Sequence, residues 1–216
     1  MKRKRTTAAE APPVRVVIVT LDNHLSRVVN RAERSLRRQI PGLTLTLHAA
    51  ANWPASPEAL EQCHADIATA DIVLVTMLFM EDHINAVLPA LSARRDDCDA
   101  MICCMSASEV MQLTRMGRFS MEGEPSGPIA LLKRLRGSSG GSRKAPGAQQ
   151  LSVLRQLPRI LRFIPGTAQD VRAYFLAMQY YLAGSDDNLT NLVRFLINRY
   201  AAGEREPLRG TMEADA

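Results

Sequence analysis

A chain of 216 residues, 46% apolar and 23% charged, has the make-up of a globular protein. It is long enough to bury one generous α/β domain, with or without a helical subdomain. Its formal charge of +5 is uneven: ten Lys/Arg face three Asp/Glu over residues 1–50, two face ten over 51–110, and nine face two over 111–160. Such alternation suits docking on a partner and argues against a nucleic-acid reader, which is more often basic throughout. With 5% aromatics there is no stacking surface for single-stranded RNA.

The chain starts Met1-Lys-Arg-Lys-Arg5 and runs on to Pro13 without the apolar core or cleavage site of a secretory signal. No stretch approaches the ~18 apolar residues of a membrane span, so a cytoplasmic protein is expected. Cys63, Cys98, Cys103 and Cys104 lack paired C-x-x-C spacing and read as buried thiols in a reducing compartment, with no bound metal.

Residues 1–13 read as a disordered basic tail. Val14-Arg-Val-Val-Ile-Val-Thr-Leu21 is a β-branched run of the kind that fills a strand buried on both faces. The period turns helical over 24–39, with Val28, Val29, Ala32 and Leu36 on one face and a solvated stripe of Arg27, Arg31, Arg34 and Arg38 on another. Pro41-Gly42 stops that helix, and 43–49 alternates Leu and Thr as a second strand. Ser56-Pro57 opens the next helix, Ser as N-cap and Pro at its first position. A third buried strand over 71–77 precedes a helix over 82–95, and a fourth over 99–105 precedes a helix opening at Ser106–Glu109 with capping-box spacing.

Four strand-then-helix repeats predict an α/β fold: a doubly wound, mostly parallel four-stranded sheet, flavodoxin-like or related in strand order. The head domain is placed at 14–136 and a Gly/Ser-rich flexible linker at 137–147. A C-terminal helical extension is expected over 148–200, its segments at 149–163 (broken by Pro158), 168–183 and 186–200. Gly184 suits a helix C-terminus, and Ser185 then caps the last helix, whose core face is Leu189, Leu192, Val193, Leu196 and Ile197. Residues 201–216 read as coil, as if the chain were cut from something longer.

In such a sheet ligands bind beyond the carboxyl ends of the strands. Asp22 and His24 after the first strand, with Glu81, Asp82 and His83 after the third, are residue types that hold metals or move protons. They are the candidate ligand-pocket residues. The same residues also suit a scaffold, Asp22 and Asp82 as helix caps, Glu81 as a solvated charge and each histidine bonding one backbone group. No glycine-rich phosphate loop, G-x-S-x-G or H-E-x-x-H occurs, so the residues alone supply no reaction.

Three longer stretches carry a resemblance: Val16-Val-Ile-Val-Thr-Leu-Asp-Asn-His24, Ala70-Asp-Ile-Val-Leu-Val-Thr-Met-Leu-Phe-Met-Glu-Asp-His83 and Cys104-Met-Ser-Ala-Ser-Glu-Val-Met-Gln-Leu-Thr-Arg-Met-Gly117. Tyr180-Tyr-Leu-Ala-Gly-Ser-Asp-Asp-Asn-Leu189 and Phe195-Leu-Ile-Asn-Arg-Tyr200 extend it. In order, these resemble the N-terminal region of the magnesium chelatase large subunit, the porphyrin-binding H-type component of chlorophyll and bacteriochlorophyll synthesis. The resemblance implies a ligase that inserts Mg²⁺ into protoporphyrin IX, with ATP hydrolysed by two AAA⁺-type partner subunits. Mg²⁺, ATP and protoporphyrin IX would be substrates of the full complex, and no cofactor is implied within this segment. Members of that family are several times longer than this chain, so no catalytic residue carries over and the implied partner is the remainder of the large subunit. The related cobaltochelatase large subunit, and a non-enzymatic module binding a tetrapyrrole or a protein, stay open as alternatives.

Overall fold

The computed structural model describes residues 12–21, 23–122 and 166–211. Residues 1–11 of the basic tail, the linker at 137–147 and the helical segment at 149–163 with Pro158 lie outside the described residues. Strands β1 (Val14–Thr20), β2 (Leu43–Ala49), β3 (Ile72–Thr76) and β4 (Ala100–Cys104) run parallel in the order β2-β1-β3-β4. That is the flavodoxin-like order. Val16 pairs with Leu45 on one side and with Ile72 on the other, which centres β1 in the sheet.

The β-branched run of β1 has a simple cause. Successive side chains point to opposite faces, and both faces are covered. Val14, Val16 and Ile18 join Leu43, Leu45, Ile72, Leu74 and Ile102 under helix α1 (Ser26–Leu36). Val17 and Val19 join Val73, Val75, Met101 and Cys103 under helices α2 (Pro57–Thr69) and α3 (Glu81–Arg94). Each such Val, Leu or Ile contributes about 1.5–3 kcal/mol on burial, well above the ~1 kcal/mol of a helix cap. The sheet therefore dominates the stability. Ser56 Oγ does accept from the Ala59 N–H at 3.3 Å, as Ser-Pro predicts.

Two expectations are corrected. The sheet has six strands rather than four, because β5 (Arg115–Met116) and β6 (Phe119–Ser120) form a small antiparallel hairpin on β4. Two-residue strands are too short to display a period of two. The helix after β4 is one turn only, α4 (Ser108–Met111), with Ala107 at its N-cap and no side-chain cap bond. The capping box fails because Ser106 is buried between loops, where its hydroxyl accepts from Leu78 N–H at 3.2 Å and donates to the Cys104 carbonyl at 3.2 Å.

The C-terminal helices α5 (Thr167–Ala183) and α6 (Asp186–Tyr200) complete the sheet's cover on the α1 side. Val171, Tyr174, Ala177, Leu189, Leu192, Val193, Leu196 and Ile197 are buried in the same cluster as Val16 and Ile18. These two helices thus belong to the same core as the sheet. Gly184 ends α5 in the left-handed region at φ 61°, and Ser185 Oγ accepts from the Asn188 N–H at 3.2 Å, as the sequence implies. Within the arginine stripe of α1, Arg31 grips Asp186 of α6 through Nε at 2.6 Å and Nη2 at 2.8 Å.

The amino edge of the sheet is tied by charge. Arg205, in the 3₁₀ helix Gly203–Leu208, makes a two-pronged contact with Asp99 at 3.0 Å and 3.0 Å and reaches Asp71 at 3.2 Å. Asp71 also accepts from Arg15 N–H at 2.8 Å, and Asp99 from Ala202 N–H at 3.0 Å. Nearby, Asp170 of α5 takes the Arg118 N–H at 3.0 Å, Arg199 Nη2 at 3.1 Å and the Tyr200 hydroxyl at 3.0 Å.

Candidate functional site

The carboxyl ends of β1 and β3 form the topological switch point, since β1 is followed by β2 on one side and flanked by β3 on the other. Two non-glycine residues adopt the left-handed conformation here: Met77 at φ 63° directly after β3, and Met105 at φ 48° directly after β4. They hold each other, Met77 N–H donating to the Met105 carbonyl at 3.0 Å, and Ala107 N–H donates to the Leu78 carbonyl at 2.8 Å. Such residues cost about 1–3 kcal/mol each and persist only where their surroundings fix them.

The bends have an effect on the surface. Leu78 turns into the core at 0% exposure, while Phe79 and Met80 stand out at 57% and 55%. The end of α5 reaches this edge too, because Tyr181 OH and Thr20 Oγ1 are hydrogen-bonded at 2.9 Å in a buried contact, and the following residue, Leu182, is exposed.

The residues singled out from the sequence divide by position. Asp22 lies outside the described residues. His24 is exposed in the turn between β1 and α1. Glu81 and Asp82 are exposed in the first turn of α3, where their charge faces the positive end of the helix dipole. Asp82 does not cap α3; Met80 occupies that place and makes no side-chain cap bond. His83 turns inward and packs edge-on against Trp53 with ring centres 5.8 Å apart, its Nδ1 buried without a hydrogen-bond partner. Among the described residues, no three His, Cys, Asp or Glu side chains form a group able to hold a metal ion.

The thiols of the domain are held protonated. Burial pushes Cys63 and Cys104 up to about 12, lifts Cys103 well above the ordinary thiol value and raises Cys98. All four cysteines should therefore resist a disulfide reagent at mildly alkaline pH in the folded protein and react together once denaturant is added. Counting released chromophore before and after unfolding checks this; a fast-reacting thiol in the folded state contradicts it. The edge thus offers a shaped apolar contact surface on a strained frame. Sequence reasoning places Phe79 and Met80 inside a longer stretch without marking them; the signal was two large apolar residues between a buried strand and an acidic helix start.

The family model described as a domain of unknown function (DUF3479) matches residues 15–175. The chain belongs to that family. Its match ends inside α5, whereas the buried core runs on to Ala201. The magnesium-chelatase H subunit of Cereibacter sphaeroides is 47% identical over 194 residues, covering 90% of this chain and 16% of that protein. The corresponding protein of Rhodobacter capsulatus is 44% identical over 190 residues, 86% of this chain and 16% of its own length. The chloroplastic magnesium-chelatase ChlH subunit of Oryza sativa subsp. indica is 31% identical over 195 residues, 88% of this chain and 14% of its own. The chain spans about a sixth of the length of the curated relatives it matches. No helix among the described residues is long and apolar enough to cross a membrane.

Proposed function

We propose that this chain is the head of a magnesium chelatase large subunit, serving ATP-dependent insertion of Mg²⁺ into protoporphyrin IX for (bacterio)chlorophyll synthesis in the cytoplasm. The observation that carries this reading is the 47% identity with a magnesium-chelatase H subunit across 90% of the chain. In this reading Mg²⁺, ATP and protoporphyrin IX are substrates of the assembled enzyme, and the segment carries no cofactor of its own. Two AAA⁺-type partners hydrolyse ATP to help strip water from Mg²⁺, an ion that dehydrates reluctantly. The head contributes a docking face for the remainder of the large subunit. Exposed Phe79 and Met80 beside the bends at Met77 and Met105 support that role.

A domain exchange tests the proposal. In the Cereibacter sphaeroides large subunit, the matching segment is deleted, or replaced by residues 14–211 of this chain, and magnesium insertion is followed by porphyrin fluorescence with both partner subunits and ATP. Insertion should collapse in the headless protein and return in the exchanged one. Full activity without any head overturns the reading. The isolated chain, given the same partners, should produce no metalloporphyrin above a no-protein control.

A further inference from the structure

At the amino edge of the sheet, opposite the strained bends, lies an open cleft of about 480 Å³. Among the described residues its lining draws on four elements of the chain. Gly117 and Arg118 come from the β5–β6 turn, Asp170 from α5 with Arg199 and Tyr200 from α6, and Arg209 from the end of the C-terminal 3₁₀ helix. Two of the stretches that the sequence singles out, one ending at Gly117 and one at Tyr200, meet here although they have no local connection. We propose that this cleft binds a small polyanion, a molecule carrying two or more phosphate or carboxylate groups.

The charge arrangement carries the inference. Among the described residues, three guanidinium groups line the cleft against one carboxylate, and that carboxylate is already committed. Asp170 is 8% exposed and spends its oxygens on the Arg118 N–H, Arg199 Nη2 and the Tyr200 hydroxyl. Arg199 uses Nε on the Tyr200 hydroxyl at 3.0 Å and Nη2 on Asp170, which among the described residues leaves Nη1 for a ligand. Arg209 spends Nε on the Ala201 carbonyl at 2.6 Å, and its Nη1 lies 3.8 Å from Glu206.

Arg118 is the informative residue. Its backbone N–H is pinned to Asp170, which fixes the side chain's origin at the cleft, yet among the described residues its guanidinium has no hydrogen bond or ion pair. Holding the fold together requires the Arg118 backbone and Arg199, not the Arg118 side chain. The space also exceeds what one oxyanion fills, given that a water occupies about 30 Å³. Planar forks of paired N–H donors match phosphate and carboxylate oxygens alike, so both sources share this chemistry.

Titration calorimetry on the full chain at low ionic strength tests the site, with inorganic pyrophosphate and citrate as probes and potassium chloride at matched ionic strength as the blank. Saturable binding of at least one probe is expected, weakened about tenfold or more in Arg118→Glu, the loss of roughly one charge-assisted hydrogen bond. Arg34→Glu, the same charge change on exposed α1, should bind as the parent does. Melting temperatures of both variants should match the parent. Pyrophosphate alone saturating assigns the site to phosphates; citrate alone assigns it to carboxylates. The proposal is overturned if neither probe binds beyond the chloride blank, if Arg118→Glu binds as tightly as the parent, or if Arg34→Glu loses as much as Arg118→Glu.

Discussion

Replacing Arg205 with alanine is expected to destabilise the fold by about 3 kcal/mol at neutral pH, the low end for breaking a buried ion pair from one side. The guanidinium sits between Asp71 and Asp99, whose side chains are 6% and 7% exposed. Without it, two buried carboxylates at the starts of adjacent parallel strands lose their shared cation. The deficit should depend on pH, with a definite sign. Burial already raises the Asp71 carboxyl above its ordinary value, and the nearby Arg205 charge partly offsets that. An acid whose folded value is raised is favoured by the fold in its protonated form, so its contribution is full at low pH and is lost as pH rises through the raised value. Removing Arg205 raises that value further. The variant should therefore lie furthest below the parent at neutral pH and recover part of the gap as pH falls through the carboxylate range. Urea unfolding of both chains at neutral and mildly acidic pH reads this directly; a gap that widens on acidification contradicts it.

The second large effect is expected at Asp170→Ala, again about 3 kcal/mol. The substitution strands the Arg118 N–H and the buried Tyr200 hydroxyl and removes the counter-charge of Arg199. Its coupling to Gly117 makes the test specific. Gly117 has φ +60°, and a Cβ there would lie 2.6 Å from Asp170 Oδ2. Gly117→Ala alone should cost about 2 kcal/mol or more, from the left-handed backbone and from that overlap. In the double variant the overlap is gone while the backbone cost stays, so the combined loss should fall short of the sum of the single losses. Strict additivity across the four chains, measured by urea unfolding, contradicts the contact.

Much of this architecture is legible in the sequence, because a strand buried on both faces must be written as a continuous apolar run. Val14–Thr20 and Ile72–Thr76 have no other reading once helical periods follow them. The last helix is legible for the same reason: all five apolar residues assigned to its core face are buried. The antiparallel hairpin is not legible, since two residues per strand carry no pattern. Nor are the charged ties. Arg205 meets Asp99 across 106 positions, and nothing local to either announces the other. A weak signal existed in Asp71 and Asp99, each a carboxylate set just before a buried strand. At the candidate site the sequence locates the right edge of the sheet but not the roles. His83 falls on the inward face of α3, a matter of one helical step, while Glu81 and Asp82 fall on the outward one.

The placement of α5 and α6 governs how the chain is made. One face of the sheet, with Val14, Val16, Ile18, Ile72 and Leu74, has α1 as its early cover; the rest arrives only with residues 167–201. A ribosome adds about 5–20 residues per second, so roughly ten to forty seconds separate synthesis of β1 from that of Ala201. Once β4 has been made, and until α6 follows, the nascent chain carries an apolar face complete in its four parallel strands but covered only in part, by α1. Pairing across such sequence distances is slow to form even in a finished chain. Folding is therefore a closing act, and until α6 has left the tunnel the emerging protein is a natural client for a chaperone that shields flat apolar surface.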